Sequence, residues 1–252
     1  MFFIYFIYFN TVILPIMKIL HHLTECNSTN DEIINFVPSI LQKEDLVGVY
    51  TLNQTQGKGQ YGNSWEINPN ENIAISIAVS LDRFPFAVSI INYYTAIIVR
   101  DFVANLTQIQ LKIKWPNDII LNQKKVSGIL LEKKNNCLVI GIGINVLQQN
   151  FERFPKAGSI YTQTHRSFEP HLLAKEFFEF FANEIAQPKT EAQILEILNN
   201  TLFKKDEVCV FDIKGVRQNG IIRKADAEGY LWIELEDEQL HKFYHKEIQM
   251  LY

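Results

Sequence analysis

Four short stretches carry residues whose types and spacing could do chemistry: NSTND at 27–31, QTQGKGQYGNSW at 54–65, KWPND at 114–118 with KVSGILLE at 125–132, and GIGIN at 141–145. In the second, Gly57 and Gly59 flank Lys58, and Gly62 follows. Glycines tolerate positive φ and let backbone N–H groups ring an anion, and a lysine among them adds a mobile cation. Such a loop suits a site that must close over an anionic, water-sensitive intermediate. Trp65, just beyond, offers a flat face to a ring. The segment is not a GxxxxGK[ST] phosphate loop. Its glycines fit GxGxxG, but the residues after them do not open an apolar helix. By itself it reads equally well as a solvated surface loop.

In KWPND, Pro116 forces Trp115 out of helical conformation and gathers Lys114, Asn117 and Asp118 about a turn. Lys125 leads into an apolar strand, where a lysine ordinarily snorkels to the surface. Gly128 inside that strand points instead to something approaching the backbone closely. Gly141 and Gly143 repeat the signal. As alternate residues of one strand they clear one face of side chains before Asn145 presents an amide.

These segments need elements to hold them. Lys18–Thr24 reads as a short strand, and NSTND opens a helix that Ser28 or Thr29 could cap, with Glu32 at capping-box spacing from Thr29. Leu46–Leu52 is β-rich and delivers the chain into the glycine loop. Ile73–Leu81 alternates as a half-buried strand would, and Phe86–Leu106 is a long apolar helix. Four strands follow, at 111–115, 119–121, 126–132 and 138–146, with NQKK at 122–125 as a hairpin turn. The spacing predicts helices over 170–186 and about 190–200. In the first, Leu173, Phe177, Phe180 and Phe181 form a core stripe. After Phe203 come short alternating strands punctuated by Lys214-Gly215, Asn219-Gly220 and Glu228-Gly229, the texture of a small β-barrel.

With 252 residues, 47% hydrophobic and 21% charged, the chain is globular and long enough for a sizeable core. A formal charge of -4 argues against general polyanion binding, although Lys112, Lys114, Lys124, Lys125, Lys133 and Lys134 lie close in sequence. Cys26, Cys137 and Cys209 lack CxxC spacing, which excludes a zinc ribbon or disulfide framework and fits a reducing cytoplasm. His241 and His245 would share one helical face, but without an acidic or sulfur partner at matching spacing they read as polar residues of a short C-terminal segment. The start, MFFIYFIYFNTVILPIM, lacks the basic region of a signal peptide and is interrupted by Asn10, Thr11 and Pro15. It falls short of the ~20 apolar residues that span a bilayer. Residues 1–17 therefore read as an apolar extension, with Met17 a sufficient start, rather than as a membrane anchor.

Together, and in this order, the four stretches resemble the biotin–protein ligase family, the biotin–[acetyl-CoA-carboxylase] ligases, in its monofunctional form without a DNA-binding domain. GKGQYGNSW is similar to that family's adenylate loop, and KWPND followed by KVSGILLE is its most diagnostic pair. The resemblance implies an α/β (α+β) fold like the class II aminoacyl-tRNA synthetase catalytic domains. A mixed sheet with helices would occupy 18–203, and an SH3-like C-terminal β-barrel 204–252. It also implies two half-reactions: biotin and ATP, with Mg2+, give biotinyl-5′-AMP and pyrophosphate, and a lysine of a biotin carboxyl carrier protein then takes the biotinyl group.

Carried over by position, Ser28, Thr29 and Gln54 would hydrogen-bond biotin, and Gly57 would approach its ring. Gly128, Leu130, Gly141 and Gly143 would line the biotin pocket. Lys58 and Gln60 would meet the adenylate from the loop, Trp65 would border the adenine, and Asn145 would bind near it. Lys125 would bridge the biotin carboxylate and α-phosphate, and Asp118 would act near the incoming lysine. No residue is assigned as a metal ligand. The family often has two or three arginines in the loop, where Lys58, Gln60 and Tyr61 stand here. That puts in doubt how tightly the adenylate is held, since lysine lacks arginine's bidentate fork.

Three other readings compete. A lipoate or octanoate–protein ligase shares the architecture, but its arginine-rich, multi-glycine motif is not visible. A repressor would need a DNA-binding module, for which about 17 uncharged residues leave no room, so no nucleic-acid partner is expected. A membrane-associated scaffold leaves Lys125 and the glycine loop unexplained. A homodimer stays open.

Overall fold

The computed structural model describes residues 17–187 and 189–251. Residues 1–16, and with them most of the apolar extension, lie outside the described residues.

The chain enters on β1 (Lys18–Leu23), makes the short helix α1 (Thr29–Glu32) and returns as β2 (Leu46–Thr51). The glycine loop carries a two-residue pair, β3 (Gly57–Lys58) and β4 (Ser64–Trp65). Next come β5 (Asn72–Ser80), the long helix α2 (Val88–Thr107), and four strands: β6 (Lys112–Lys114), β7 (Asp118–Leu121), β8 (Lys124–Lys134) and β9 (Cys137–Asn145). A single seven-stranded sheet results, ordered β1-β2-β5-β9-β8-β7-β6, parallel between β1 and β2 and antiparallel elsewhere. Helices α3 (Ile160–Thr164), α4 (Pro170–Ala186) and α5 (Glu191–Thr201) follow. A second, antiparallel sheet is built from β10 (Val208–Ile213), β11 (Val216–Ala225), β12 (Leu231–Leu235), β13 (Leu240–Phe243) and β14 (Gln249–Leu251).

β5 is buried along its whole length, so the expectation of a half-buried strand is corrected. Its alternation is one of size. Ile73, Ile75, Ile77 and Val79 join the core with α2 and α4, while Ala74, Ser76 and Ala78 face the other way, beneath α1. Large residues fill the helix-backed layer, and small ones leave room for a site. In α4, Leu173, Phe177 and Phe181 are fully buried and Phe180 is half-buried, as the stripe predicts.

Three local expectations fail for identifiable reasons. No capping box forms at NSTND. Ser28 is the N-cap residue and makes no side-chain cap bond, and the hydroxyl of Thr29, the other candidate cap, is engaged with Gln54 and Ser76. Asn219-Gly220 lies within β11 rather than in a turn. Gly220 is there because a Cβ would meet Ile233 on the neighbouring strand. His241 and His245 do not share a helical face: the first lies in β13 and the second in the turn after it.

Candidate active site

The floor of the site is a patch of three antiparallel strands. Ala74 and Ser76 of β5 pair with Gly143 and Gly141 of β9, which pair in turn with Gly128 and Leu130 of β8. Cross-strand neighbours share a sheet face, so five of these six residues, all small, stand side by side on the face away from α2. The glycines are required. A Cβ on Gly141 would fall inside the Asn30 amide, and one on Gly143 inside the Trp65 indole.

Lys125 and Gly128 are three residues apart and should point to opposite faces of a strand. They do not. Ile119 pairs with Ser127 but Ile120 pairs with Lys125, so Val126 is an extra residue bulged out of the ladder. The bulge re-aims the strand and brings Lys125 round beside Gly128, where an added Cβ would lie 3.2 Å from the lysine Nζ. The loop after β9 fixes this position: Lys125 N–H donates to the Lys156 carbonyl at 2.8 Å, and Gly158 N–H donates to the Lys125 carbonyl at 3.0 Å. Lys125 Nζ sits 2.6 Å from Asp118 and 5.4 Å from the Trp65 ring centroid. Lys114, across the β6–β7 pair, lies 3.7 Å from the same carboxylate. Burial holds the Lys114 ammonium below the ordinary lysine value; Lys125 and Lys156 add to this and Asp118 opposes it. One carboxylate thus serves two close ammonium groups.

The other end of the site is neutral and buried. Gln54 Oε1 accepts from the Thr29 N–H at 2.8 Å and from the Thr29 hydroxyl at 3.2 Å. Ser76 Oγ lies 2.8 Å from Thr29 Oγ1 and 2.5 Å from Asn30 Oδ1. Asn30 Nδ2 donates to Glu132 at 2.7 Å. Over this end hangs the glycine loop, whose Lys58 is drawn to Asp31 at 2.5 Å, with Lys134 on the other carboxylate oxygen at 2.5 Å.

Ser28, Thr29, Gln54, Lys58, Gln60, Trp65, Lys125, Gly128, Leu130, Gly141 and Gly143 all line one slot of about 50 Å³. It adjoins a chamber of about 500 Å³ that Lys114, Asp118 and Lys125 share with residues of the second sheet. Ligand pockets for drug-sized molecules ordinarily measure about 300–1,000 Å³, so a bicyclic ligand enters the slot only if Trp65 and the loop move outward. Gly57 is packed against the Gln54 amide and the Trp65 carbonyl. Trp65 lies on the Gly128–Gly143 floor, and its indole N–H is buried without a partner among the described residues. Asn145 lines neither cavity; its Nδ2 donates to the Gly158 carbonyl at 3.0 Å.

Residues 24–146 match the biotin/lipoate A/B protein ligase family. The chain carries a domain of that family. Over 122 residues the chain is 32% identical to a biotin–[acetyl-CoA-carboxylase] ligase of Mycobacterium tuberculosis, covering 46% of this chain and 46% of that one. A ligase of the same name from Paracoccus denitrificans is 30% identical over 131 residues, 49% of this chain and 53% of that one. The matches thus span about half the length of these relatives. The fold is that of the biotin protein ligase of Aquifex aeolicus, solved with biotin and ATP: TM-score 0.77, 20% identity, covering 93% of this chain and 99% of that one. The Leishmania major ligase, solved with biotinyl-5-AMP, gives a TM-score of 0.64 at 20% identity, covering 89% and 98%.

Sequence reasoning passed over three site residues of the ligase domain. Asn30 and Asn117 line the slot, and Asp31 holds Lys58. Asn30 and Asp31 stand within NSTND, and Asn117 within KWPND, so the motifs themselves were the available signal. Nothing in the sequence pairs Asp31 with a lysine 27 residues on.

Proposed function

We propose that this chain is an ATP-dependent ligase that forms biotinyl-5′-AMP and transfers the biotinyl group to a specific lysine of a biotin carboxyl carrier protein. The observation that carries the reading is the bulge that places Lys125 beside Asp118 at the edge of a glycine-cleared floor, beneath a loop bearing Lys58.

The buried amides and hydroxyls of Thr29, Gln54 and their neighbours suit a neutral ureido group, which needs both donors and acceptors. The carboxylate at the far end of biotin then reaches Lys125. Its oxygen attacks the α-phosphorus of ATP and pyrophosphate leaves, while Lys125 stabilises the charge that builds between the two groups. In the second step the carrier lysine nitrogen attacks the acyl carbon, AMP departs, and the amine gives up a proton. Asp118 supports this lysine by charge and accepts that proton. Among the described residues no three His, Cys, Asp or Glu side chains converge to hold a metal ion. Mg2+ would therefore enter on the nucleotide phosphates.

Residues 18–203 are assigned as the catalytic unit and 204–252 as an SH3-like companion. No helix among the described residues is long and apolar enough to cross a membrane. A cytoplasmic setting is part of this reading, since three widely spaced free thiols suit a reducing compartment. The test is transfer of labelled biotin to a purified carrier domain with ATP and magnesium. Labelled carrier and released pyrophosphate are expected. Failure to form either, or thermal stabilisation by lipoate and not by biotin, rejects the reading.

A further inference from the structure

The glycine loop is restrained at its tip by residues that belong to the second sheet. Tyr61, the tip residue, has φ 59 and is 51% exposed. The turn after β13 reaches it: Lys246 Nζ donates to the Tyr61 carbonyl at 3.2 Å and lies 4.9 Å from the Tyr61 ring centroid. Beside it, the His245 imidazole lies 5.4 Å from the Tyr61 ring and stacks flat on Trp115, with centroids 4.6 Å apart and planes 6° from parallel. Tyr244 closes the cluster edge-on to His245 at 4.8 Å.

Both ends of this contact are anchored. Trp115 is fixed by its indole N–H, which donates to the Tyr93 hydroxyl of α2 at 3.1 Å. The turn is fixed by Glu247, whose carboxylate accepts from the Tyr244 N–H at 2.6 Å. The stem of the loop is tied by Gln56 N–H donating to the Asn27 carbonyl at 2.8 Å and by Trp65 on the floor, but between Lys58 and Ser64 few other contacts hold it among the described residues. The β3–β4 pair is two residues long, Gly59 N–H bonds Asn63 within the loop, and Lys58 and Asp31 are both exposed. Solvent-facing ion pairs of that kind contribute little.

We propose that His245 and Lys246 are positioning residues that latch the tip of the glycine loop to the second sheet. Tyr61 is the handle they grip, and the latch sets how long the loop stays closed over the reactive intermediate. Its consequence for the intermediate rests on the function proposed above; the latch itself does not. Aromatic stacking and a lysine over a ring are individually modest, so their combined loss is expected to open the loop about tenfold more often, equivalent to about 1.4 kcal/mol.

Lys58 is the only tryptic site between Gln54 and Trp65, which gives a readout independent of activity. In a variant combining His245→Ala with Lys246→Gln, trypsin should cut Lys58–Gly59 about tenfold faster than in the parent chain, with other early cuts unchanged. His245→Phe, which keeps a flat ring on Trp115, should cut at the parent rate. In turnover, the double variant should release free biotinyl-5′-AMP about tenfold faster per acceptor modified while forming pyrophosphate within about twofold of normal. Equal nicking overturns the latch. So does nicking that rises throughout the chain, or His245→Phe being nicked as fast as the double variant. If the parent chain itself forms no pyrophosphate, the proposed function fails and the nicking rates still decide the latch.

Discussion

The Gln54 end of the slot and the glycine loop that hangs over it are built on opposite principles. At the Gln54 end, Thr29, Asn30, Gln54 and Ser76 are nearly all inaccessible and neutral, and they satisfy one another. In the loop above them, Lys58, Asp31 and Lys134 form ion pairs in contact with water. A buried neutral network fixes one geometry, because any rearrangement strands a polar group away from solvent. Solvated ion pairs exchange partners at little cost. Under the proposed function, recognition would sit in the buried network and closure in the solvated one. Lys125 with Asp118 lies between these extremes, partly buried and charged.

The comparison can be broken first at its midpoint. Lys125→Ala is expected to reduce adenylate formation by about 100-fold or more, the scale of removing a preorganised charge-stabilising group, as read by pyrophosphate release. Near-normal release would show that Lys125 is not the group on which the chemistry turns. In the buried network, Gly141→Ala drives a methyl into the Asn30 amide. Overpacking of this kind costs about 1–3 kcal/mol, seen as lowered thermal stability together with weakened biotin binding. Ser76→Ala removes a donor that Thr29 and Asn30 share. It should cost about 1 kcal/mol, and that loss should not change with salt.

The smallest effect belongs to the solvated loop. Asp31→Asn should alter loop protection by less than about 1 kcal/mol at low salt, and by nothing measurable near 1 M, where the screening length falls to about 3 Å. Its pH dependence sharpens the contrast. Burial acts to raise the Asp31 carboxyl, but hydrogen bonds from Lys134 and then Lys58 outweigh it and hold the group below its ordinary value. A depressed carboxyl lends stability that is present in full above about pH 4 and is lost as the pH falls through the lower folded value. Amide exchange in the glycine loop, corrected for intrinsic rates, should therefore lose its difference between the parent chain and the Asp31→Asn variant on acidification. Exchange at Thr29 and Asn30 should keep its protection through the same range. A parallel loss in both would erase the distinction.

How much of this was legible in the chain depends on the range of the physics involved. The helices over 170–186 and about 190–200 follow from local periodicity, and the structure has them at Pro170–Ala186 and Glu191–Thr201. Glycines at 128, 141 and 143 announced a cleared surface because only a close approach explains them inside strands. The half-buried reading of β5 failed because an alternation of large and small apolar residues resembles one of buried and exposed residues. The capping box did not form, and the Thr29 hydroxyl is engaged by side chains distant in sequence, Gln54 and Ser76.

By itself, then, the sequence determined the elements, the cleared floor and the four segments that carry chemistry, since backbone permissiveness, side-chain period and turn chemistry act over a few residues. Tertiary structure alone decided which charges meet. The single extra residue at Val126 puts Lys125 and Gly128 on one face against their odd spacing, and Asp118 reaches Lys125 only through the β7–β8 pairing. His245 and Lys246 meet the loop tip from more than 180 residues away. A strand's face is set by register and a contact by folding of the whole sheet, and neither is a property of adjacent residues.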